Sequence, residues 1–340
     1  MIGDVLTSSI LFEALREKYP DAQLDYLINT HTFPVVENNP FIDNFIFFTK
    51  EIEHSKWALL KLAKSVREAN YDAVIDVYGK LSSMLITAFS RASIKSAYHK
   101  KYVSFLFTHP VKRLKHPKHQ ASLAIENRFK LLECLHIDFK NIDPKIYLTQ
   151  KEMKAAQVYL ENSGIDLSKP LFMISVLGSN QSKTYPEAYM ARVLDHIVKT
   201  LGDVQLLFNY IPSQTDAAKN IFELCSSTTQ GHIHFDVFGK SLREFLAITK
   251  HCHALIGNEG GAVNMAKALA IPTFTIFNPG LNKHNWFGES ETKNHVAVHL
   301  SDYVAITPET AKKNIEDAYR LFKPEYFTKT LTQFVTTIVT

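Results

Sequence analysis

Three short segments hold residues whose types and spacing could do chemistry. The first is Ile2-Gly3-Asp4-Val5-Leu6-Thr7-Ser8-Ser9, a glycine followed by a carboxylate and a run of small hydroxyl residues. At a helix start, unpaired backbone N–H groups suit an anion or a polar ligand. Asp4 then either projects into a binding cleft or caps its own helix. The second is Gly178-Ser179-Asn180-Gln181-Ser182-Lys183-Thr184-Tyr185-Pro186, a polar loop with one lysine between an apolar run and a helix start. Such a loop suits a phosphate, or is an ordinary strand-to-helix turn. Ser182 stands where a P-loop requires glycine, which excludes an NTPase. The third is Asn258-Glu259-Gly260-Gly261-Ala262-Val263-Asn264. Its paired glycines remove side chains where a backbone must approach a ligand, and the N–H groups of the following helix suit a diphosphate. A plain turn is again the alternative. Neither half has the GxGxxG spacing of a dinucleotide fold, which disfavours a dehydrogenase.

A fourth feature is the distribution of charge. The 340 residues carry a net charge of only +4, weak grounds for nucleic-acid or membrane binding. Residues 77–125 contain no aspartate or glutamate but nine lysines and arginines, so they carry +9 and the remainder 4 − 9 = −5. Lys100, Lys101, Lys112, Arg113 and Lys115 lie there, interleaved with Tyr98, Tyr102, Phe105 and Phe107. Basic residues among aromatics suit an anionic surface or a phosphorylated lipid, or nucleic acid; a solvated basic face is the plain reading.

Positioning these segments requires alternating strands and helices. Strands are predicted over 23–28, 44–48, 73–77, 171–176, 204–208, 254–256 and 272–277. Helices are predicted over 56–68, 126–135, 151–162, 186–200, 213–224, 241–249 and 307–322. The chain start reads as an amphipathic helix from the fourth residue. The alternation implies an α/β fold with parallel sheets covered on both faces. A break around 145–170 gives two doubly wound halves, 1–150 and 151–340, with the final helical stretch packing back on the first half. Ligands in such sheets sit at the carboxyl ends of strands, and the default site is a cleft between halves.

An apolar content of 46 % and a charged content of 21 % are those of a globular chain. There is no apolar run of 18 residues and no signal-peptide pattern. Three cysteines, an odd number without metal-ligand spacing, fit a reducing, cytoplasmic setting. His251-x-His253 has no third ligand at a suggestive spacing, so no metal is expected.

Taken together, the segments resemble glycosyltransferase family 9, the lipopolysaccharide heptosyltransferase family. IGDVLTSSILFEALREKYPDAQLDYLI is similar to its N-terminal block, SVLGSNQSKTYPEAYMARVLD to its lysine–aromatic–proline block, and FGKSLREFLAITKHCHALIGNEGGAVNMAKALAIPTFTIFNP to its C-terminal block. The resemblance covers most of the chain and is weakest at about 90–145. It implies a GT-B architecture of two Rossmann-like domains, the first for the acceptor and the second for the donor. It also implies inverting, metal-independent transfer of a sugar, heptose from ADP-heptose in the usual case, to an anionic lipopolysaccharide-type glycolipid. Such an enzyme needs no cofactor and works in the cytoplasm, peripheral to the inner membrane face. By the resemblance Asp4 is the general base, Lys183 contacts the donor phosphates, and the 258–261 turn holds diphosphate or sugar. Ser179 and Asn264 lie in the same two donor-side blocks.

Two positions depart from the family pattern: Glu259 replaces the usual aspartate, and Asn264 a frequent histidine. The strand that precedes the first motif in many members is expected to be missing here. A non-catalytic sugar-nucleotide-binding protein and a sugar-nucleotide epimerase on the same architecture are the competing readings.

Overall fold

The computed structural model describes residues 1–288 and 294–339. It divides into two compact units, one of residues 1–144 with 284–289, the other of 145–283 with 290–340. The division falls at Pro144/Lys145, and a short segment late in the chain groups with the first unit.

The first unit holds two parallel sheets. β1 (Asp25–Asn29) pairs with β2 (Asn44–Phe48), and β3 (Ala73–Asp76), β4 (Ile94–Tyr98) and β5 (His109–Val111) form the other in that order. β1 and β3 therefore each have one paired neighbour, and the described chain opens directly on the helix Ile2–Lys18. That helix is not amphipathic as expected. Residues 6–12 are all buried. Burial on every side is possible because its polar residues are small and satisfy themselves. Thr7 Oγ1 donates to the Gly3 carbonyl at 2.8 Å, Ser8 to Asp4 at 2.6 Å and Ser9 to Leu6 at 2.7 Å. Its apolar residues Ile10, Leu11 and Ala14 pack with Ile125, Phe129 and Leu132.

The second unit carries one parallel sheet, in the order β10-β9-β8-β6-β7. Its strands are β6 (Leu171–Ser175), β7 (Gln205–Phe208), β8 (Ala254–Asn258), β9 (Thr273–Ile276) and β10 (His295–Val298). β6 to β9 are buried along their whole length. They read as continuous apolar or β-branched runs because helices cover both faces. The core joins Phe172, Ile174, Leu206, Phe208, Ile256 and Phe274 to the helices Glu187–Leu201 and Thr328–Val339. The final helix packs within its own unit. Leu331, Phe334 and Val335 enter the second unit's own core, because the apolar stripe of their helix faces the Glu187–Leu201 helix.

Candidate functional site

In the first unit, Asp4 sits in the opening turn of the Ile2–Lys18 helix, where the helix start favours a negative charge. Its carboxylate is not a simple cap. Arg128, from the helix Leu123–Lys130, donates through Nη2 to Asp4 Oδ1 at 3.0 Å. The same guanidinium donates to Ser8 Oγ at 2.9 Å, to the Ala124 carbonyl at 2.9 Å and to the Asp4 carbonyl at 3.3 Å. The Arg128 side chain is 7 % exposed and that of Asp4 33 %, so a buried cation holds a carboxylate that still reaches solvent.

Arg128 escaped sequence reading. Its signal was three consecutive polar residues, Glu126-Asn127-Arg128, all buried in one short helix. The other two clamp the basic segment. Glu126 accepts from Lys118 N at 2.7 Å and His119 N at 2.8 Å, and Asn127 Oδ1 accepts from Leu114 N at 2.7 Å. One helical turn thus fixes both the Asp4 carboxylate and the 114–119 loop.

Two tyrosines border the pair. Tyr26 donates to the Val5 carbonyl at 2.9 Å, and burial pushes its phenol well up, against the pull of Arg128. Tyr98 is likewise pushed up by burial, opposed by Arg128 and Arg113. Both stay neutral and serve as polar walls. The Arg113 guanidinium lies 3.5 Å from the Tyr98 ring centroid, which ties this one basic residue to the Asp4 surroundings.

The other basic candidates are dispersed. Lys100 donates to the Gly79 carbonyl, and Lys101 stands over the Tyr102 ring. Lys112 lines a separate surface hollow with His109 and Cys134, and Lys115 is exposed on its loop. The 77–125 segment is therefore several surfaces rather than one site.

In the second unit, the loop after β6 is braced. A Cβ on Gly178 would fall 2.2 Å from the Lys183 carbonyl oxygen, so the loop folds back on itself where only glycine fits. Thr184 Oγ1 accepts from Gly178 N at 3.1 Å and donates to the Asn180 carbonyl at 2.9 Å. Asn278 Nδ2 donates to the Ser182 carbonyl at 2.9 Å. Lys183 leaves this loop half-buried, while Ser179 is exposed at its tip.

The turn after β8 faces it. Gly260 has φ +154°, a backbone that L side chains avoid, and added side-chain atoms at Gly260 or Gly261 would meet open space. The open room lies over the start of the helix Gly261–Ala268. Burial pushes the Glu259 carboxyl up, and the nearby Lys183 ammonium opposes it. Tyr319, buried and unnoticed in the sequence, is pushed up by burial and then by Glu259. Lys183, Glu259 and the two glycines thus come together, with Asn264 one turn further along, its N–H 3.3 Å from the Gly260 carbonyl.

Asn258 stands apart from this group. Its Oδ1 accepts from Tyr185 N at 2.7 Å, and its Nδ2 donates to the Ser175 and Val176 carbonyls at 2.9 and 3.0 Å. The side chain is 1 % exposed. The expectation of a ligand contact is therefore corrected: its polar atoms are occupied by backbone, and it locks the two site loops together. His251 Nε2 lies 3.0 Å from the Met153 carbonyl and His253 Nδ1 accepts from Leu171 N at 3.1 Å, so both rings are engaged with backbone.

With this geometry in hand, similarity to known proteins gains a physical basis. The profile of Glycosyltransferase family 9 (heptosyltransferase) matches residues 59–317. The lipopolysaccharide heptosyltransferase 1 of Campylobacter coli is 23 % identical over 305 residues, 84 % of each chain. The crystal structure of a family 9 glycosyl transferase from Veillonella parvula superposes with a TM-score of 0.81 at 19 % identity, covering 100 % of this chain and 94 % of that one. The structure of the Escherichia coli ADP-heptose lipopolysaccharide heptosyltransferase II gives 0.67 at 16 % identity, covering 94 % and 96 %. The fold is accordingly of the GT-B type, two Rossmann-like domains, and the chain is a glycosyltransferase belonging to family 9, the heptosyltransferases.

Proposed function

We propose that this enzyme moves a heptose from ADP-heptose to a lipopolysaccharide-type glycolipid, with inversion and without a metal. The observation that carries the reading is the Asp4–Arg128 pair, a carboxylate aimed by a buried cation yet open to solvent. With Oδ1 held by Arg128, Oδ2 is the oxygen that receives the acceptor's proton. The acceptor oxygen attacks the anomeric carbon from the face opposite the leaving group. A C–O bond forms there, the bond from that carbon to the phosphate oxygen breaks, and the electron pair leaves with ADP. Lys183 and the N–H groups at the start of the Gly261–Ala268 helix meet that developing negative charge. Glu259 and Asn264 hydrogen-bond the sugar or nucleotide, Ser179 closes over the phosphates, and Asn258 positions both loops. Arg113, beside Tyr98, reads an anionic group of the acceptor, with Lys112 and Lys115 on the neighbouring loop.

The setting we infer is cytoplasmic, peripheral to the inner face of the membrane that bears the acceptor. The donor is tested by thermal shift against ADP-heptose and against UDP-, GDP- and dTDP-sugars. A donor at about 100 times its Kd stabilises the native state by about 2.7 kcal/mol. A shift with ADP-heptose, followed by ADP release only when acceptor is present, supports the reading. A shift with another nucleotide sugar alone reassigns the donor. Turnover of the donor to an isomer without acceptor would make the protein an epimerase.

A further inference from the structure

Tyr102 and Phe105 are 81 % and 82 % exposed, on the turn that follows β4. The turn is tightly closed rather than loose. Val103 N and Ser104 N both donate to the Lys100 carbonyl at 3.1 Å, and Lys100 N donates to Ser104 Oγ at 2.9 Å. Val103, Leu106 and Phe107 point inward and pack with Met84 and Ala97. The two outward rings thus point away from the core into which the turn packs.

The turn after β3 adds to the same surface. Tyr78 and Leu81 are 54 % and 69 % exposed there, and the Lys100 ammonium donates to the Gly79 carbonyl, which ties the two turns together. The charges around the rings are positive: Lys80 lies 5.9 Å from the Tyr78 ring centroid, and Lys101 lies 5.9 Å from that of Tyr102. No acidic residue occurs between 77 and 125. The carboxylate just before the turn, Asp76, is buried and accepts from Tyr78 N, Gly79 N and Ser83 Oγ at 2.8–3.0 Å.

We propose that Tyr78, Leu81, Tyr102 and Phe105, ringed by Lys80, Lys100 and Lys101, seat the protein on a bilayer containing anionic lipid. Aromatic rings partition to the headgroup level, and each lysine near an anionic leaflet strengthens binding about fivefold. No described helix is long and apolar enough to cross a membrane, and the contact proposed here is a surface attachment. Its residues are other than the Arg113, Lys112 and Lys115 assigned above to the acceptor. It deepens the proposed function, which supplies the reason for a membrane to be near, but its binding needs neither donor nor acceptor.

The test is co-sedimentation with phosphatidylcholine vesicles, with and without about one-third phosphatidylglycerol, for the wild type, Tyr102→Ser/Phe105→Ser and Lys80→Gln/Lys101→Gln. We expect wild-type binding to require the anionic lipid. The aromatic double variant should bind at least tenfold more weakly at both low and high salt. The lysine double variant should lose about 25-fold at low salt and little at high salt. The aromatic variant should keep its melting temperature and its turnover on a water-soluble acceptor fragment. Equal vesicle binding by the aromatic variant overturns the proposal. So does equal wild-type binding to neutral vesicles, or protection of the 99–107 turn from hydrogen exchange on self-association or RNA addition but not on vesicles. Absence of turnover on every acceptor, with vesicle binding as expected, would instead remove the proposed function and leave the membrane contact standing.

Discussion

Arg128→Ala is the perturbation that probes most of the first unit at once. The guanidinium reaches Ser8 Oγ, two carbonyls and the Asp4 carboxylate, and its side chain is 7 % exposed. Breaking a fully buried ion pair by removing one partner costs about 3–5 kcal/mol. Asp4 is one-third exposed, so water solvates the abandoned carboxylate in part. The Ser8 hydroxyl keeps its bond to the Asp4 carbonyl at 2.6 Å. The expected loss is therefore about 2–3 kcal/mol, at roughly 2–4 °C of melting temperature per kcal/mol for a unit of this size.

The effect on rate should exceed the effect on stability. A displacement of about 1 Å in a reacting group can cost about a hundredfold. Because Lys183 and the glycine turn lie in the other unit, the donor KM should stay unchanged while kcat falls at least tenfold. Arg128→Lys restores the charge but not the fork that reaches four acceptors, and should recover stability better than rate. The assays are thermal unfolding and ADP release below the unfolding transition. A variant that melts within 1 °C of wild type and turns over within about threefold would refute the positioning role of Arg128.

Three further outcomes follow from the second unit. Asn258→Leu leaves Tyr185 N and the Ser175 and Val176 carbonyls buried without their partner, and should cost about 3 kcal/mol in denaturant unfolding while loosening the loops after β6 and β8. Gly257 has φ +131°, and a Cβ there would lie 2.4 Å from the Ser175 oxygen, so Gly257→Ala should destabilise by more than about 2 kcal/mol by the same measurement. Burial, aided by Lys267, pulls His295 down from 6.5 to about 4. Between those values the unfolded chain binds the extra proton, so stability should fall as pH drops from 6.5 towards 4, by up to about 3 kcal/mol, and His295→Gln should flatten that slope.

Legibility differed between the halves for physical reasons. β6 to β9 are buried along their whole length, so their largely apolar or β-branched runs stood out within a residue or two of their observed ends. β4 and β5 were missed because neither shows a long apolar period: one carries Lys95 and Ser96, the other Pro110 on an edge strand. β10 was missed because it is only half-buried. The helix Leu81–Phe89 went unread because its N-cap is Lys80 rather than a serine, threonine, aspartate or asparagine. Asp4, Lys183 and the glycine turn stood out as candidates because each lies in a distinctive local segment, while the roles proposed for them rest on the family resemblance. Arg128 and Tyr319 were not, since each reaches its partner across more than fifty residues. Asn258 was legible by position but not by role, because only the fold shows its amide filled by backbone.

The central claim is that Asp4 takes the acceptor's proton while the second unit holds the donor. The direct measurement is Asp4→Asn turnover beside calorimetric donor binding on the same preparation. The account predicts a fall in kcat of about 10²–10⁴ with donor Kd unchanged. Turnover near that of the wild type, with the fold intact, would contradict it.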